Sequence, residues 1–243
     1  MRSFLRAGCA VGATLLAGPL AGCTGISPPG STGEIRNGVF SYVCDSGNDP
    51  VCSKQTVGDL LEMPAAVAVG GRFSLQFTSL PFGNDTGGST LVEPASSSLL
   101  IQTEAFSSSF QAIKPGVGAI LARRGELVVD FVHLEIEVPA AVRVDRFVVG
   151  DDIEPTAQSI SELDLQMGST SLLRGYAVDE AGTALGGAQA VAWTSSNEDV
   201  VDFEGGNTGI EAAVRATGEG TATVSVTVGD NVADVEVTVG GEE

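Results

Sequence analysis

Two cysteines separated by eight positions, Cys44 and Cys52, are the residues whose type and spacing most directly suggest chemistry. In an oxidising compartment, an even pair of thiols forms a disulfide. The bridge would close a loop that stabilises the folded chain by about 2 to 3 kcal/mol in the chain-entropy treatment. A metal or redox site is the alternative, but a metal site needs further soft ligands nearby. The only histidine, His133, lies far along the chain, so the pair predicts a structural disulfide.

The other residues that could do chemistry lack the pattern of an active site. His133 is the first candidate for a general base. Its strand alternates, so His133 shares a face with Phe131 and Glu135, while Val132 and Leu134 point the other way. This pattern predicts a surface histidine. The serines lack the G-x-S-x-G nucleophile motif, and the carboxylates are scattered singly or in turns. We therefore predict no catalytic residues and no enzymatic activity.

A short acidic segment could hold calcium, which prefers carboxylate and carbonyl oxygens. It lies near the expected boundary between two domains, where a bound ion would stiffen the pair. Its candidate ligands are Asp151, Asp152 and Glu154. A second group of oxygen ligands inside the cysteine loop consists of Asp45, Asn48 and Asp49. Because neither group has EF-hand spacing, we predict solvated acidic surface, with calcium binding as the alternative. We therefore expect no cofactor, with calcium as the one alternative.

Two glycine pairs and one tryptophan complete the candidates. The pairs at 116/118 and 218/220 lack the third glycine and the following helix of a dinucleotide site. A strand follows each pair, so we expect turn glycines with positive φ. Trp193 alternates with Val191 on an expected central strand. This position predicts a core residue, with a sugar-stacking platform as the alternative.

The elements that must position these residues are short strands, because apolar residues recur with a period of two. Residues 224 to 228 and 235 to 239 alternate valine with polar residues around a turn, which predicts a hairpin with one apolar face. A similar ending occurs over residues 116 to 138, with Gly116 matched to Gly218. The spacing of about 102 residues is the size of one sandwich domain, so two tandem β-sandwiches are predicted. Only residues 56 to 61 suggest a short helical turn.

The N-terminal segment has the layout of a secretory signal. Two arginines precede an apolar stretch over residues 7 to 21. The tetrad Leu20-Ala21-Gly22-Cys23 resembles the lipobox of bacterial lipoproteins. That resemblance implies a signal peptide over residues 1 to 22, acylation of Cys23, and membrane attachment through the acyl chains. An ordinary thiol after a secretory signal is the alternative.

The residues after Cys23 suggest a tether. Residues 23 to 36 are rich in glycine, proline and serine, and are expected to form a flexible linker. Thr24 follows the cysteine where aspartate would favour retention at the inner membrane, so resemblance to lipoprotein sorting favours the outer membrane of the cell envelope.

The charge excludes one class of partner. Loss of Arg2 and Arg6 with the signal would change the net charge from −19 to −21. Such an acidic chain should not bind nucleic acid or an anionic membrane through charge.

The second half carries three motifs in order: LRGYAVD at 173 to 179, VAWTSSN at 191 to 197, and GEGTATV at 218 to 224. Together they resemble the bacterial Ig-like group 2 domain. The resemblance implies a β-sandwich over residues 142 to 240, of a kind found in intimin- and invasin-type adhesins. Residues 37 to 141 lack tryptophan and are expected to form a divergent Ig-like sandwich. Residues 241 to 243 are an acidic tail.

These modules predict a membrane-anchored protein of the cell envelope that binds, adheres or serves a structural role at the cell surface. Its partner, a protein or a glycan, is not specified by the sequence. An accessory carbohydrate-binding module for an extracellular hydrolase is the alternative. In that case aromatic residues such as Tyr42 and Phe82 would be exposed for sugar stacking.

Overall fold

The computed structural model describes residues 30–52, 55–80, 90–105, 107–148 and 156–241. Within these ranges the protein is built of strands and turns, with no helix. This part of the chain accordingly holds no helix of the length and hydropathy needed to cross a membrane.

The first domain places its strands in two facing sheets. The strands are β1 (Ser31–Thr32), β2 (Gly38–Val43), β3 (Leu60–Leu61), β4 (Ala66–Ala68), β5 (Arg72–Ser79), β6 (Leu91–Pro94), β7 (Leu100–Gln102), β8 (Ser109–Ala112), β9 (Gly116–Arg124) and β10 (Leu127–Glu137). One sheet has the order β1-β2-β5-β8-β7, with β3 paired to β2. The other has the order β4-β10-β9-β6, with β4 parallel to β10.

The second domain repeats this arrangement. Its strands are β11 (Ala141–Val148), β12 (Thr156–Ser159), β13 (Glu162–Gln166), β14 (Thr170–Val178), β15 (Val191–Ser195), β16 (Val201–Glu204), β17 (Glu211–Ala216), β18 (Gly220–Val228) and β19 (Asn231–Gly240). The sheets have the orders β12-β11-β14-β17-β16 and β13-β19-β18-β15. As in the first domain, the lone parallel pairing, β13 with β19, lies in the second of these sheets.

Both domains therefore share one topology. In the first domain β2-β5-β8-β7 face β10-β9-β6, and in the second β11-β14-β17-β16 face β19-β18-β15. This is the strand order of an immunoglobulin domain, in which strands ABED face strands CFG. The protein is all-β, with two tandem Ig-like sandwiches, as the sequence predicts.

Glycines mark the repeat, at a register two residues from the predicted one. Gly116 and Gly220, with φ of 135° and 137°, begin the equivalent strands β9 and β18. Gly125 and Gly229 occupy the hairpin turns that follow, with φ of 60° and 57°. The equivalent of Gly116 is thus Gly220, not Gly218. Gly218 serves a different purpose, since a Cβ there would lie 2.6 Å from the carbonyl oxygen of Asp199.

The two cores differ in composition. The second is rich in valine and surrounds Trp193, which is fully buried and donates from Nε1 to the Gly209 carbonyl at 2.8 Å. The prediction of a core tryptophan is confirmed. Also as predicted, one face of the β18–β19 hairpin buries its alternating valines, which are Val224, Val226, Val228, Val235, Val237 and Val239. The first core instead uses the aromatic residues Phe40, Tyr42, Phe73 and Phe110.

Part of the expected linker belongs to the first sandwich. Ser31 and Thr32 pair with Phe40 and Val39 of β2, and the turn that follows folds back over β10. The reason is a buried carboxylate. Asp130 is fully buried and accepts backbone N–H groups of the turn and of its own strand at 2.8 to 3.0 Å. The donors are Ile35, Asn37, Gly38 and Phe131.

The helical turn suggested over residues 56 to 61 is wrong. Asp59 caps a tight turn by accepting the Thr56 N–H, and Leu60 and Leu61 pair with β2 as the short strand β3. The two leucines thus lie at a sheet edge because β2 offers unpaired main-chain groups there.

Candidate functional site at the junction of the two domains

The domains meet with almost no linker between them. β10 ends at Glu137 and β11 begins at Ala141. In the intervening segment, Pro139 is buried and the Ala140 N–H donates to the Val178 carbonyl of the second domain at 2.9 Å. The short link limits how far one sandwich can swing relative to the other.

Main-chain pairing crosses the junction at two places. Residues 184 to 188 of the second domain run along the edge of the first. Gly186 exchanges hydrogen bonds with Ala66 and Ala68 at 2.9 Å, in a parallel bridge centred on Val67. Arg72 and Ala188 exchange a second pair at 2.9 and 2.7 Å. Leu185 packs with Ala66 and Ala68 in a small apolar cluster of its own. The exposed edge of β4 is thereby covered.

Glycine is required where the two backbones touch. Gly187 has a φ of 95°, and a Cβ there would lie 3.0 Å from the Cα of Gly71. A Cβ on Gly186 would lie 2.8 Å from Cγ of Pro64. Side chains at these positions would push the domains apart.

The disulfide loop inserts a carboxylate into this contact. Cys44 and Cys52 are bonded, with their Cα atoms 5.3 Å apart, which confirms the predicted pairing. The Asp49 side chain within the loop is only 2% exposed. Its Oδ2 accepts the Tyr42 hydroxyl at 2.5 Å and the Gly187 N–H of the second domain at 3.2 Å. Asp49 thus joins the two domains through one oxygen atom.

Burial changes the proton affinity of this pair. Desolvation raises the pKa of Asp49, while the hydrogen bonds from Tyr42, Val51 and Gly187 act in the opposite direction. Burial and the neighbouring Asp49 carboxylate raise the pKa of Tyr42 well above its ordinary value of 10.0. At neutral pH the tyrosine is therefore a hydrogen-bond donor.

Arg174 of the second domain binds the same disulfide loop through its guanidinium. The Nη2 of Arg174 donates to the Pro50 carbonyl at 2.7 Å, and its Cζ lies 5.4 Å from the centre of the Tyr176 ring. The Tyr176 hydroxyl donates to Asp145 at 2.6 Å, and Arg143 donates to the other oxygen of Asp145 at 2.8 Å. This network holds the arginine in place.

Burial also shifts the pKa values of the second network. It lowers the pKa of Arg174, with Glu211 acting against it. It raises the pKa of Tyr176 to about 12, assisted by the hydrogen bond to Asp145. Together, the Asp49 and Arg174 contacts stabilise a single orientation of one domain relative to the other.

No family model and no curated protein matches the sequence. Among solved structures, domains 4 and 5 of the S-layer protein SbsC are similar at 15% identity and a TM-score of 0.31, covering 72% of this chain and 93% of that one. The Escherichia coli adhesin FdeC is similar at 14% identity and a TM-score of 0.33, covering 74% and 62%.

Invasin, described as a bacterial integrin-binding protein, is similar at 14% identity and a TM-score of 0.31, covering 73% of this chain and 38% of invasin. The chain spans only 24% of a longer SbsC fragment. Structural similarity at TM-scores this low does not indicate a function. The Ig-like fold is defined here by the strand order of the two domains.

The calcium candidates fall into two groups. Asp151, Asp152 and Glu154 lie outside the described residues. Within the loop, Asp49 is committed to Tyr42 and to main-chain donors, because it faces the domain contact and not solvent. The described residues contain no cluster of three His, Cys, Asp or Glu side chains that could hold a metal.

The remaining candidates have mixed outcomes. His133 is exposed, with its Nδ1 3.4 Å from Glu34, and Val132, Leu134 and Ile136 are buried, as predicted. Tyr42 is not the exposed sugar-stacking residue expected under the alternative. It is fully buried because its ring stacks on Phe73, 5.9 Å between centroids. Cys23 and Phe82 lie outside the described residues.

Sequence reasoning missed the residues that make the junction. Tyr42, Asp49, Arg174 and Gly187 belong to four separate segments, and no local spacing relates them. A signal existed only for a different buried carboxylate, Asp130, which lies away from the junction and accepts the N–H groups of the turn before β2. Asp130 falls in phase with the buried residues Val132 and Leu134 of its strand, and a carboxylate on an apolar face must accept hydrogen bonds from donors elsewhere in the chain.

Proposed function

We propose that the protein is a lipid-anchored component of the cell envelope whose two Ig-like sandwiches act as one rigid, non-catalytic binding or structural unit. The observation that carries this proposal is the junction, where Asp49 of the disulfide loop accepts the Gly187 N–H of the second domain. Tandem domains usually move relative to each other unless their contact is extensive. Main-chain pairing, a buried carboxylate and a glycine contact all oppose that motion here.

A rigid pair suits a protein that must hold the surfaces of its two domains in one fixed arrangement. The disulfide constrains the loop that reaches across, and disulfides persist in exported proteins. Attachment at Cys23 rests on the lipobox-like tetrad at residues 20 to 23.

We also propose that the second sandwich belongs to the bacterial Ig-like group 2 domains. Support comes from where its motifs fall. LRGYAV lies on β14, with the motif's Asp179 just after it, WTS lies on β15 and GTATV begins β18. All three are core strands of that sandwich. An adhesive or structural role for the unit, and a location at the outer membrane, belong to the same proposal.

Protease accessibility on intact cells tests this function. A version tagged near the C terminus is compared with Cys23→Ala, which should no longer partition into detergent. We expect the wild-type protein to fractionate with membranes and to be digested without lysis. Protection until lysis would contradict a surface role and indicate a periplasmic partner, while detergent partitioning of Cys23→Ala would contradict the anchor.

A further inference from the structure

A cleft opens on the solvent face of the first sandwich, beside the junction. Its floor is formed by β5, β8 and β7. One wall is the disulfide loop at Asp45 and Ser46, and the other is segment 188 to 190 of the second domain. Its volume of about 880 Å³ lies in the range of small-ligand sites, which occur preferentially between domains.

The floor consists of ordered cross-strand rows. Arg72, Gln111 and Ile101 face one another on three adjacent strands, and Ser74 pairs with Ser109 in the next row. Neighbouring strands lie about 4.8 Å apart, so each row presents outward side chains at a spacing close to the width of a pyranose ring. The docked second domain closes the end of these rows and makes the cleft a preformed site.

The side chains of the cleft are polar and partly preorganised. The Ser74 hydroxyl donates to the Asp45 carboxylate and lies 2.7 Å from the Ser109 hydroxyl. Gln189 is held by a bond from its Nε2 to the Val69 carbonyl at 3.1 Å, which leaves its amide oxygen as an acceptor. Among the described residues, the Arg72 guanidinium has no hydrogen-bond or ion-pair partner. The site therefore offers donors and acceptors side by side.

Two classes of ligand fit this surface poorly. Peptide recognition relies on large apolar side chains buried in pockets. In this cleft Phe73 and Phe110 are 1% and 0% exposed. The apolar side chains that reach its surface are Ile101, at 37%, and the small Ala188 and Ala190. Anionic ligands meet Asp45 and Glu104 in the cleft and a net charge of −19 on the chain, against the single cation Arg72.

We propose that this cleft binds an uncharged oligosaccharide, with Arg72 and Gln111 as the principal side-chain donors and Asp45 and Gln189 as acceptors. Sugar hydroxyls both donate and accept, which matches the mixed lining. The inference deepens the binding role proposed above and rests on it, but it does not depend on acylation of Cys23. Failure of sugar binding would leave the accessibility result intact.

The test is calorimetric titration of the purified full-length lipoprotein in a detergent without a sugar headgroup. The probes are the neutral hexasaccharides of cellulose, starch, xylan and chitin, with oligogalacturonate and a degenerate nonapeptide library as the competing classes. Hydrogen exchange then locates the bound probe. We expect at least one neutral hexasaccharide to bind and to protect residues 101–104, 109–111 and 188–190.

Matched variants make the result specific. Arg72→Ala/Gln111→Ala removes two exposed or half-exposed side chains and leaves the main-chain bonds of Arg72 to Ala188 in place. It should weaken binding at least about tenfold, while Arg215→Ala, an exposed arginine on β17 of the second domain, should not. Unchanged binding in the double variant, protection elsewhere, binding only of the acidic sugar or the peptides, or no binding at millimolar concentrations would each overturn the proposal.

Discussion

The carboxylate of Asp49 and the backbone N–H of Gly187 lie 3.2 Å apart, although 138 positions separate them in the chain. One residue belongs to the disulfide loop of the first sandwich and the other to a turn of the second. The contact is buried, because Asp49 is 2% exposed. The stability of each domain should therefore depend on residues in the other.

Removal of the Asp49 side chain should destabilise both domains. Asp49→Ala leaves the Tyr42 hydroxyl and the Gly187 N–H buried without an acceptor, which should lower the free energy of unfolding by about 2 to 4 kcal/mol. Trp193, the only tryptophan, lies in the second sandwich. Its fluorescence in urea should report the change, although the substitution is in the first.

The matched control is Asp164→Ala, on the exposed face of β13. It should change the stability by no more than about 0.5 kcal/mol. A Trp193 transition that is unaffected by Asp49→Ala would mean that the domains unfold independently and that the junction is not rigid.

A methyl group at Gly187 should separate the domains. Gly187→Ala combines an unfavourable positive φ with a Cβ 3.0 Å from Gly71. Gly182 has a similar φ of 80° but open space around its Cβ position. Gly182→Ala should cost about 1 kcal/mol from backbone strain alone, and Gly187→Ala should cost clearly more. Chemical denaturation measures both, and equal losses would contradict a tight contact at Gly187.

Loss of the disulfide should loosen the junction as well as the loop. Replacing Cys44 and Cys52 by alanine should lower the free energy of unfolding by about 2 to 3 kcal/mol. Because Asp49 and Pro50 lie within the loop, the variant should also show a broader distribution of interdomain distances in small-angle scattering. A variant with the wild-type scattering profile would show that the loop holds its place without the bridge.

The two tyrosines should resist ionisation while the chain is folded. Burial raises the pKa of Tyr176 to about 12 and the pKa of Tyr42 well above 10.0. Between pH 10.0 and about 12 the folded state binds more protons than the unfolded state, so stability should be intact below pH 10.0 and fall as the pH rises through this window. Tyrosinate absorbance measures the titration directly.

The control for the titration is the same protein in concentrated urea, where both tyrosines should ionise near pH 10. Tyr176→Phe should remove the native step near pH 12 and leave that of Tyr42. Native ionisation of either tyrosine at its ordinary pKa would contradict the buried hydrogen bonds to Asp145 and Asp49.

The strands were predictable because buried and exposed residues alternate along each of them in the sequence. The alternating valines of β18 and β19, the core position of Trp193 and the exposed position of His133 all follow from a period of two. The repeat was predictable from the glycines that turn the chain, although its register was displaced by two residues. Gly118 and Gly218 belong to different structural positions, and a glycine pair alone does not show which member adopts the positive φ.

The sequence by itself determined an all-β protein, a repeated sandwich and a pair of cysteines at the spacing of a disulfide, because alternation, turns and short loops are local properties. Only the tertiary structure decided that residues 31 to 36 fold onto Asp130, that Tyr42 is buried, and that Asp49 and Arg174 secure the two domains to each other. The positions of these residues depend on hydrogen bonds between buried charged side chains and backbone groups that are distant in the sequence. These contacts join residues more than ninety positions apart. No periodic pattern in the sequence relates residues at such separations, so the contacts could not be predicted from it.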